Sequence, residues 1–356
     1  MIKVAIIGTQ GVPARYGGFE SLVENLLGEN CPEDVEYTVF CSSKDMPERL
    51  SYYKGANLEY IPLKANGLQS VPYDIISMCK VLRGYDVILV LGVSGCLFLP
   101  IFHKLNSKKL IINIDGMEYK RNKWNKFVKR ILKKSEALAV KYADVIITDN
   151  KAIRDYVAME YGKRSKLIAY GGDHVMRELP EGFADSTLQK YGLKKKDYAI
   201  AVCRIEPENN CDMVLEAFSN SNRHLVYIGN WNHNVYSQEL RRKYSGYKNI
   251  QMLDAIYDLD ILFALRSNAG VYIHGHSAGG TNPSLVEAMF FGIPIISFDV
   301  VFNRATTANQ AYYFHNSDEL LAILRRSDLD GTNMKKIAKE RYTWKTISKQ
   351  YAELYR

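Results

Sequence analysis

The chain has 356 residues, 47% hydrophobic, 24% charged and 12% aromatic, which is enough apolar material for an ordinary globular core and about two domains of typical size. That composition excludes a disordered, collagen-like or low-complexity protein. Forty-seven Lys plus Arg against 39 Asp plus Glu leave a formal charge of +8, which suits anionic ligands or surfaces without requiring nucleic acid, and no nucleic-acid partner is expected.

The chain opens on MIKVAIIGTQG, whose four-residue apolar run at 4–7 is too short for a secretory leader and reads as a first strand. GTQGVPARYGGFE follows at 8–20, and then a helical pattern at 19–27. Strand-length apolar runs recur at 37–41, 87–91, 110–114 and 145–148, with a helical stretch at 124–142. The longest uncharged apolar stretch, 87–102, contains Gly92, Gly95 and Pro100 and falls short of the about 20 residues that cross a membrane; it reads as strand, glycine turn and helix start. A second series places strands at 198–202, 225–228, 271–273 and 293–298, helices at 212–218 and 283–291, and a helical ending at 334–356. Continuous apolar strands alternating with helices indicate parallel sheets covered on both faces, so the expected fold class is α/β with two doubly wound domains and a ligand cleft between them. The alternation lapses in the Gly-, Pro- and charge-rich stretch 171–196, which divides the chain into an N-terminal domain at 1–175, a C-terminal domain at 190–335 and a final helix at 336–356. Six cysteines without a Cys-x-x-Cys pair favour reduced thiols in a cytoplasm over disulfides or structural zinc.

Two glycine loops carry the chemistry. In the first, at 8–20, Gly8, Gly11, Gly17 and Gly18 stand with Arg15 just before a helix; glycines let backbone approach a ligand and the helix start offers N–H groups to an anion, so a nucleotide or phosphate site is expected. The spacing is neither Gly-x-Gly-x-x-Gly nor a phosphate loop ending in Lys-Ser/Thr. The second, HGHSAGGTNPSLVEAM at 274–289, ends a strand in a polar loop and starts a helix at Pro283, one turn before Glu287. Its amides suit a diphosphate, and the carboxylate can accept hydrogen bonds from the vicinal hydroxyls of a ribose.

The order of that loop, its Pro and Glu, the following helix, Gly292-Ile293-Pro294 and a strand, together with RIEPENNCDMVLEAF at 204–218, resembles the C-terminal domain of retaining GT-B glycosyltransferases. GTQGVPARYGGFE and IDGMEYKRNKW at 114–124 are similar to a bacterial branch that includes rhamnosyltransferases of capsule and cell-wall polysaccharide assembly. The resemblance implies the GT-B architecture, with an acceptor-side first domain, a nucleotide-sugar-binding second domain and a last helix that crosses back to the first. It implies transfer of a sugar, deoxythymidine-diphosphate rhamnose by the branch, to a hydroxyl of a glycan acceptor, lipid-linked, with retention and without metal or other cofactor.

Residue by residue, Arg204 falls on the arginine that holds the donor diphosphate and Glu287 on the glutamate that binds the nucleotide ribose. A second family glutamate would fall at Gly279 and a family lysine at Asn209, so the diphosphate is expected to be met by Arg204, the loop Gly279, Gly280, Thr281 and Asn282, His276, and Arg15 with Gly17 and Gly18. Asp115 lies where many relatives carry a histidine beside the donor sugar, and Glu118 is close by; with Arg204 these are the expected catalytic residues. The leaving phosphate of the resembled family takes the acceptor proton itself, so no general base is named.

In YKRNKWNKFVKRILKK, 119–134, Trp124, Phe127, Val128, Ile131 and Leu132 follow helical spacing among eight basic residues, with no acidic residue in the run. Such a helix can lie on an anionic membrane or be core-facing with a solvated basic side; the first alternative makes the enzyme peripheral on the inner face of the membrane. Asp258 and Asp260 imitate a metal pair but sit in a helical stretch, His274 and His276 lack a third ligand, and 92–95 falls one residue short of a hydrolase elbow, so no metal or hydrolase site is expected. Competing functions are a nucleotide-sugar 2-epimerase and a non-catalytic nucleotide- or carbohydrate-binding relative.

Overall fold

The computed structural model describes residues 1–14, 17–114, 116–120 and 125–356. The chain forms two compact units, one of Met1–Tyr170 with Trp344–Arg356 and one of Gly171–Thr343. In the first, β1 (Ile2–Ile7), β2 (Val35–Ser42), β3 (Tyr52–Tyr53), β4 (Ala56–Ile61), β5 (Val87–Leu91), β6 (Lys109–Ile114), β7 (Val145–Thr148) and β8 (Lys166–Leu167) make one sheet in the order β3-β4-β2-β1-β5-β6-β7-β8. Among the described residues, only the β3–β4 pair is antiparallel. The second holds β9 (Tyr198–Val202), β10 (His224–Ile228), β11 (Ile250–Leu253), β12 (Val271–His274), β13 (Ile295–Phe298) and β14 (Tyr312–Phe314), ordered β11-β10-β9-β12-β13-β14 and parallel throughout. Helices joining the parallel strands cover both faces, so a central strand such as β5, VILVL, is buried at every position.

The nine strands expected from apolar runs all form. The five others are edge or near-edge strands: β4, ANLEYI, alternates buried and exposed residues, and β3, β8 and β14 are two or three residues long. The stretch 171–196 belongs to the second unit and contains a helix, Phe183–Lys190.

The expected helical ending is two helices. Thr332–Arg341 buries Met334, Ile337 and Ala338 in the second unit, and Trp344–Tyr355 buries Trp344, Ile347, Tyr351 and Tyr355 in the core of the first. Because these apolar sets serve separate cores, the helix breaks at Tyr342 and Thr343. In the last helix, Tyr351 Oη accepts from Asn113 Nδ2 at 2.9 Å and Tyr355 shares a hydrogen bond with Tyr37 at 3.2 Å. Burial of its four large side chains contributes on the order of 1.5–3 kcal/mol each.

The basic stretch is helical in its described part. Its helix is Lys126–Tyr142, capped by Asn125, whose Oδ1 accepts from Val128 N at 3.0 Å. Phe127, one of the apolar residues at helical spacing, is 72% exposed, and the buried residues of the helix are Ser135, Glu136, Ala139 and Val140, farther along it. Among the described residues, no helix is long and apolar enough to cross a membrane.

Candidate active site

In the second unit the strand order reverses beside β9, with β10 on one side and β12 on the other, and the carboxyl ends of β9 and β12 release the polar segments 203–210 and 275–282. Open α/β sheets bind ligands at such reversals. The two segments are stitched together. Ser277 donates through N and Oγ to the Glu208 carbonyl at 2.9 and 2.8 Å, and Asn210 Nδ2 donates to the Gly275 carbonyl at 2.8 Å.

Asn209 links the two expected donor contacts on these segments. Buried, it donates from Nδ2 to the Arg204 carbonyl at 2.7 Å, and its Oδ1 lies 2.7 Å from His276 Nδ1. A carbonyl only accepts, so the Asn209 amide has one possible orientation, its Oδ1 faces the ring, and His276 carries a proton on Nδ1. Where a lysine was expected from the resemblance, the structure thus has a neutral bridge. The Arg204 side chain is 44% exposed, with Nη1 3.7 Å from Glu206 Oε2. Gly279, where the resembled family has a glutamate, adopts φ +88°, a conformation that L side chains rarely take and glycine takes freely. His276 Nε2 lies 3.7 Å from where a Cβ at Gly279 would be. Gly280 continues that loop, Thr281 is buried, and Asn282 caps the helix Pro283–Met289 by accepting from Ser284 N and Oγ at 3.0 and 2.8 Å. The Asn282 side-chain oxygen is therefore occupied in holding the helix start.

Glu287, one turn into that helix, is tied to a residue sequence reasoning passed over. Arg266 ends the apolar run ILFALR in the helix Leu259–Ser267 and is only 2% exposed. Its Nη1 donates to Glu287 Oε2 at 2.8 Å, its Nη2 to the Ser284 carbonyl at 3.3 Å, and its guanidinium lies 5.2 Å from the Phe291 ring centroid. Glu287 Oε1 is 3.5 Å from His174 Nε2. Burial holds His174 below the usual imidazole range, assisted by Arg266 and opposed by Glu287 and Asp173. An arginine closing an apolar helical run was the available signal for the first; nothing in the local pattern of GGDHV marked His174.

In the first unit the glycine-rich stretch bonds to the helix that follows it. Gln10 N and Thr9 Oγ1 donate to Glu20 Oε1 at 2.8 and 3.0 Å, and Ala14 N donates to Glu24 Oε2 at 2.9 Å. The amides of Gln10 and Ala14 are thus taken by carboxylates of the following helix, Gly18–Leu26. A Cβ on Gly17 would fall 1.9 Å from Glu20 Oε2, so Gly17 and the adjoining Gly18 sit beside a negative charge. Arg15 and Asp115 lie outside the described residues, as do Arg121, Lys123 and Trp124 of the basic stretch. Glu118 opens the short turn Glu118–Lys120, half-buried. Its neighbour Tyr119 hydrogen-bonds Tyr156 at 3.2 Å, and Lys133 Nζ lies 4.8, 4.9 and 4.8 Å from the Tyr119, Tyr156 and Tyr161 rings. Lys133 also pairs with Glu160 at 2.8 Å and Glu136 at 3.5 Å, so it is part of an internal knot and not of a solvated basic face.

Asp258 is a helix cap, its Oδ1 accepting from Asp260 N and Ile261 N, and Asp260 pairs with Arg177. His274 is buried against Tyr272, ring centroids 6.2 Å apart; burial, aided by His276, keeps it well below the usual imidazole range and neutral. Among the described residues, no group of three or more His, Cys, Asp or Glu gathers as for a metal ion.

Comparison with known proteins gives two family matches. Residues 1–173 match a domain of unknown function, DUF1972, and residues 184–329 match glycosyl transferases group 1. No curated protein sequence matches the chain. Among solved structures, sucrose-phosphate synthase from Thermosynechococcus elongatus superimposes with a TM-score of 0.81 at 16% identity, covering 100% of this chain and 98% of that one. Anabaena Alr3699/HepE in complex with UDP gives 0.74 at 14%, over 99% of both chains. A glycosyltransferase from Rickettsia africae gives 0.74 at 12%, over 99% of this chain and 97% of that one. At these identities the likeness establishes the fold, which is GT-B.

Proposed function

With a group 1 glycosyl transferase domain behind a DUF1972 domain, the chain is a glycosyltransferase, and we propose that it moves a sugar from a nucleoside diphosphate to an acceptor hydroxyl with retention of configuration. The observation that carries this reading is the carboxylate of Glu287, held by a buried guanidinium in the unit whose other polar loop presents Arg204. A carboxylate suits hydroxyls of the nucleotide sugar moiety and a solvent-facing guanidinium suits a diphosphate.

In the reaction, the bond between the anomeric carbon and the diphosphate oxygen breaks, the acceptor oxygen bonds to that carbon, and the leaving phosphate takes the acceptor proton. The charge that grows on the diphosphate is what Arg204 stabilises. One such fixed donor typically supplies about 2.7–4 kcal/mol to the transition state. Loop 275–282 adds backbone N–H groups and His276, whose tautomer Asn209 fixes.

By sequence resemblance the donor is deoxythymidine-diphosphate rhamnose and the acceptor a lipid-linked glycan of bacterial surface polysaccharide. UDP bound to Alr3699/HepE makes a uridine nucleotide the alternative donor to test. Docking to an anionic inner-membrane surface is supported by the opening turns of the helix Lys126–Tyr142, where Lys126, Phe127, Arg130 and Lys134 are exposed together.

The test is a thermal-shift panel of nucleoside diphosphates and their sugars, followed by product analysis with and without acceptor. A ligand at a hundred times its dissociation constant stabilises the fold by about 2.7 kcal/mol, so the donor gives the largest shift. Sugar inversion without acceptor would make the protein an epimerase, and nucleotide binding with no transfer to any acceptor would make it a binding protein.

A further inference from the structure

We propose that Arg266, His174 and Gly172 are positioning residues that aim the Glu287 carboxylate at a hydroxyl of the nucleotide's sugar. The inference rests on the reading of Glu287 as the group that takes that hydroxyl. A glutamate on a short helix next to a glycine loop would ordinarily move among rotamers. Glu287 is held from two sides.

On one side is Arg266, 2% exposed, whose Nη1 reaches Oε2 at 2.8 Å. The guanidinium has little freedom of its own, because Nη2 donates to the Ser284 carbonyl at 3.3 Å and the Phe291 ring lies 5.2 Å from its centre. A planar guanidinium fixed in this way defines a direction as well as a charge. On the other side, His174 Nε2 stands 3.5 Å from Oε1.

His174 reaches the carboxylate because Gly172 lets its loop lie flat on the helix Pro283–Met289. A Cβ there would fall 2.9 Å from Val286 Cγ1, 3.1 Å from Glu287 N and 3.1 Å from Phe290 Cε2. Gly172 N also donates to the Tyr342 carbonyl at 2.8 Å, which fixes the backbone just before the Asp173–Val175 turn. Arg266 donates to Oε2 while His174 stands beside Oε1, and the carboxylate keeps further lone-pair capacity, which only a donor can use. A ligand hydroxyl is such a donor, and it meets an acceptor whose orientation is set before it arrives.

The probe is the dissociation constant of UDP or dTDP, whichever binds more tightly, against that of its 3′-deoxy analogue. A hydroxyl bonded to a charged acceptor makes the parent nucleotide bind roughly ten- to a hundredfold more tightly. Arg266→Lys is expected to bring that ratio close to one. His174→Gln and Gly172→Ala are expected to lower it severalfold with the circular dichroism spectrum unchanged, and they decide the matter if Arg266→Lys fails to fold. A ratio that keeps its wild-type value in the folded variants while Glu287→Gln abolishes it overturns the positioning role and leaves the ribose reading intact. A wild-type ratio near one overturns the ribose reading and the inference together.

Discussion

Replacing Glu287 by alanine should destabilise the second unit by an amount that a solvated ligand-binding glutamate would not. The substitution leaves the Arg266 guanidinium, 2% exposed, without its carboxylate; the Ser284 carbonyl at 3.3 Å and the Phe291 ring at 5.2 Å remain. Glu287 is 19% exposed, so water can enter the space it leaves beside Arg266 Nη1, which puts the expected cost at the low end of the range for a buried pair. Breaking a buried pair from one side costs about 3–5 kcal/mol, a large part of a typical total stability of about 5–15 kcal/mol. Removing the stranded charge as well, in Glu287→Ala with Arg266→Met, should recover about 2–3 kcal/mol, since methionine fills the slot without a charge. Urea unfolding followed by the fluorine resonance of 5-fluorotryptophan at Trp231, a fully buried residue of the second unit, reports on the correct half of the chain. A cost below about 1 kcal/mol for Glu287→Ala, the value of an exposed pair, would refute the argument, as would a double variant no more stable than the single one.

Three other outcomes follow from the structure. Arg204→Ala, at a 44% exposed side chain, should unfold at the parent temperature yet turn over about a hundred- to a thousandfold more slowly in a sugar-transfer assay; near-normal turnover would remove Arg204 from the reaction. Burial raises the Asp74 carboxyl to about 8, opposed by the Gly95 N–H that it accepts at 3.0 Å. The unfolded chain releases this proton near pH 3.9 and the folded chain keeps it, so this group's stabilisation is complete at low pH and is lost as pH rises to about 8. In Asp74→Asn, which retains an acceptor for Gly95, the urea midpoint should therefore change less between pH 6 and pH 8 than in the parent, and equal changes would contradict the assignment. Sedimentation with anionic vesicles at low salt should weaken severalfold in Phe127→Ala and again on replacing Lys126, Arg130 and Lys134 by glutamine; unchanged sedimentation would exclude this helix as the contact.

The sequence by itself determined the α/β class and the nine inner strands, because a strand covered on both faces must be apolar along its whole length and so writes its position locally. Through the family resemblance it also marked Arg204 and His276 in loops after strands and Glu287 one turn into the helix that follows, where such sheets bind ligands. Tertiary structure alone decided what those groups touch. Arg266 meets Glu287 across 21 positions and His174 meets it from a loop more than a hundred residues away, pairings that no local period encodes. The same holds for Glu20 and Glu24, which accept from the amides of Gln10 and Ala14 in the glycine-rich stretch, and for Lys133, drawn out of a basic run by three tyrosines and two glutamates. Burial of an apolar side chain is set by the pattern of its own element, whereas the partner of a polar one depends on which distant segment the fold brings within 3 Å.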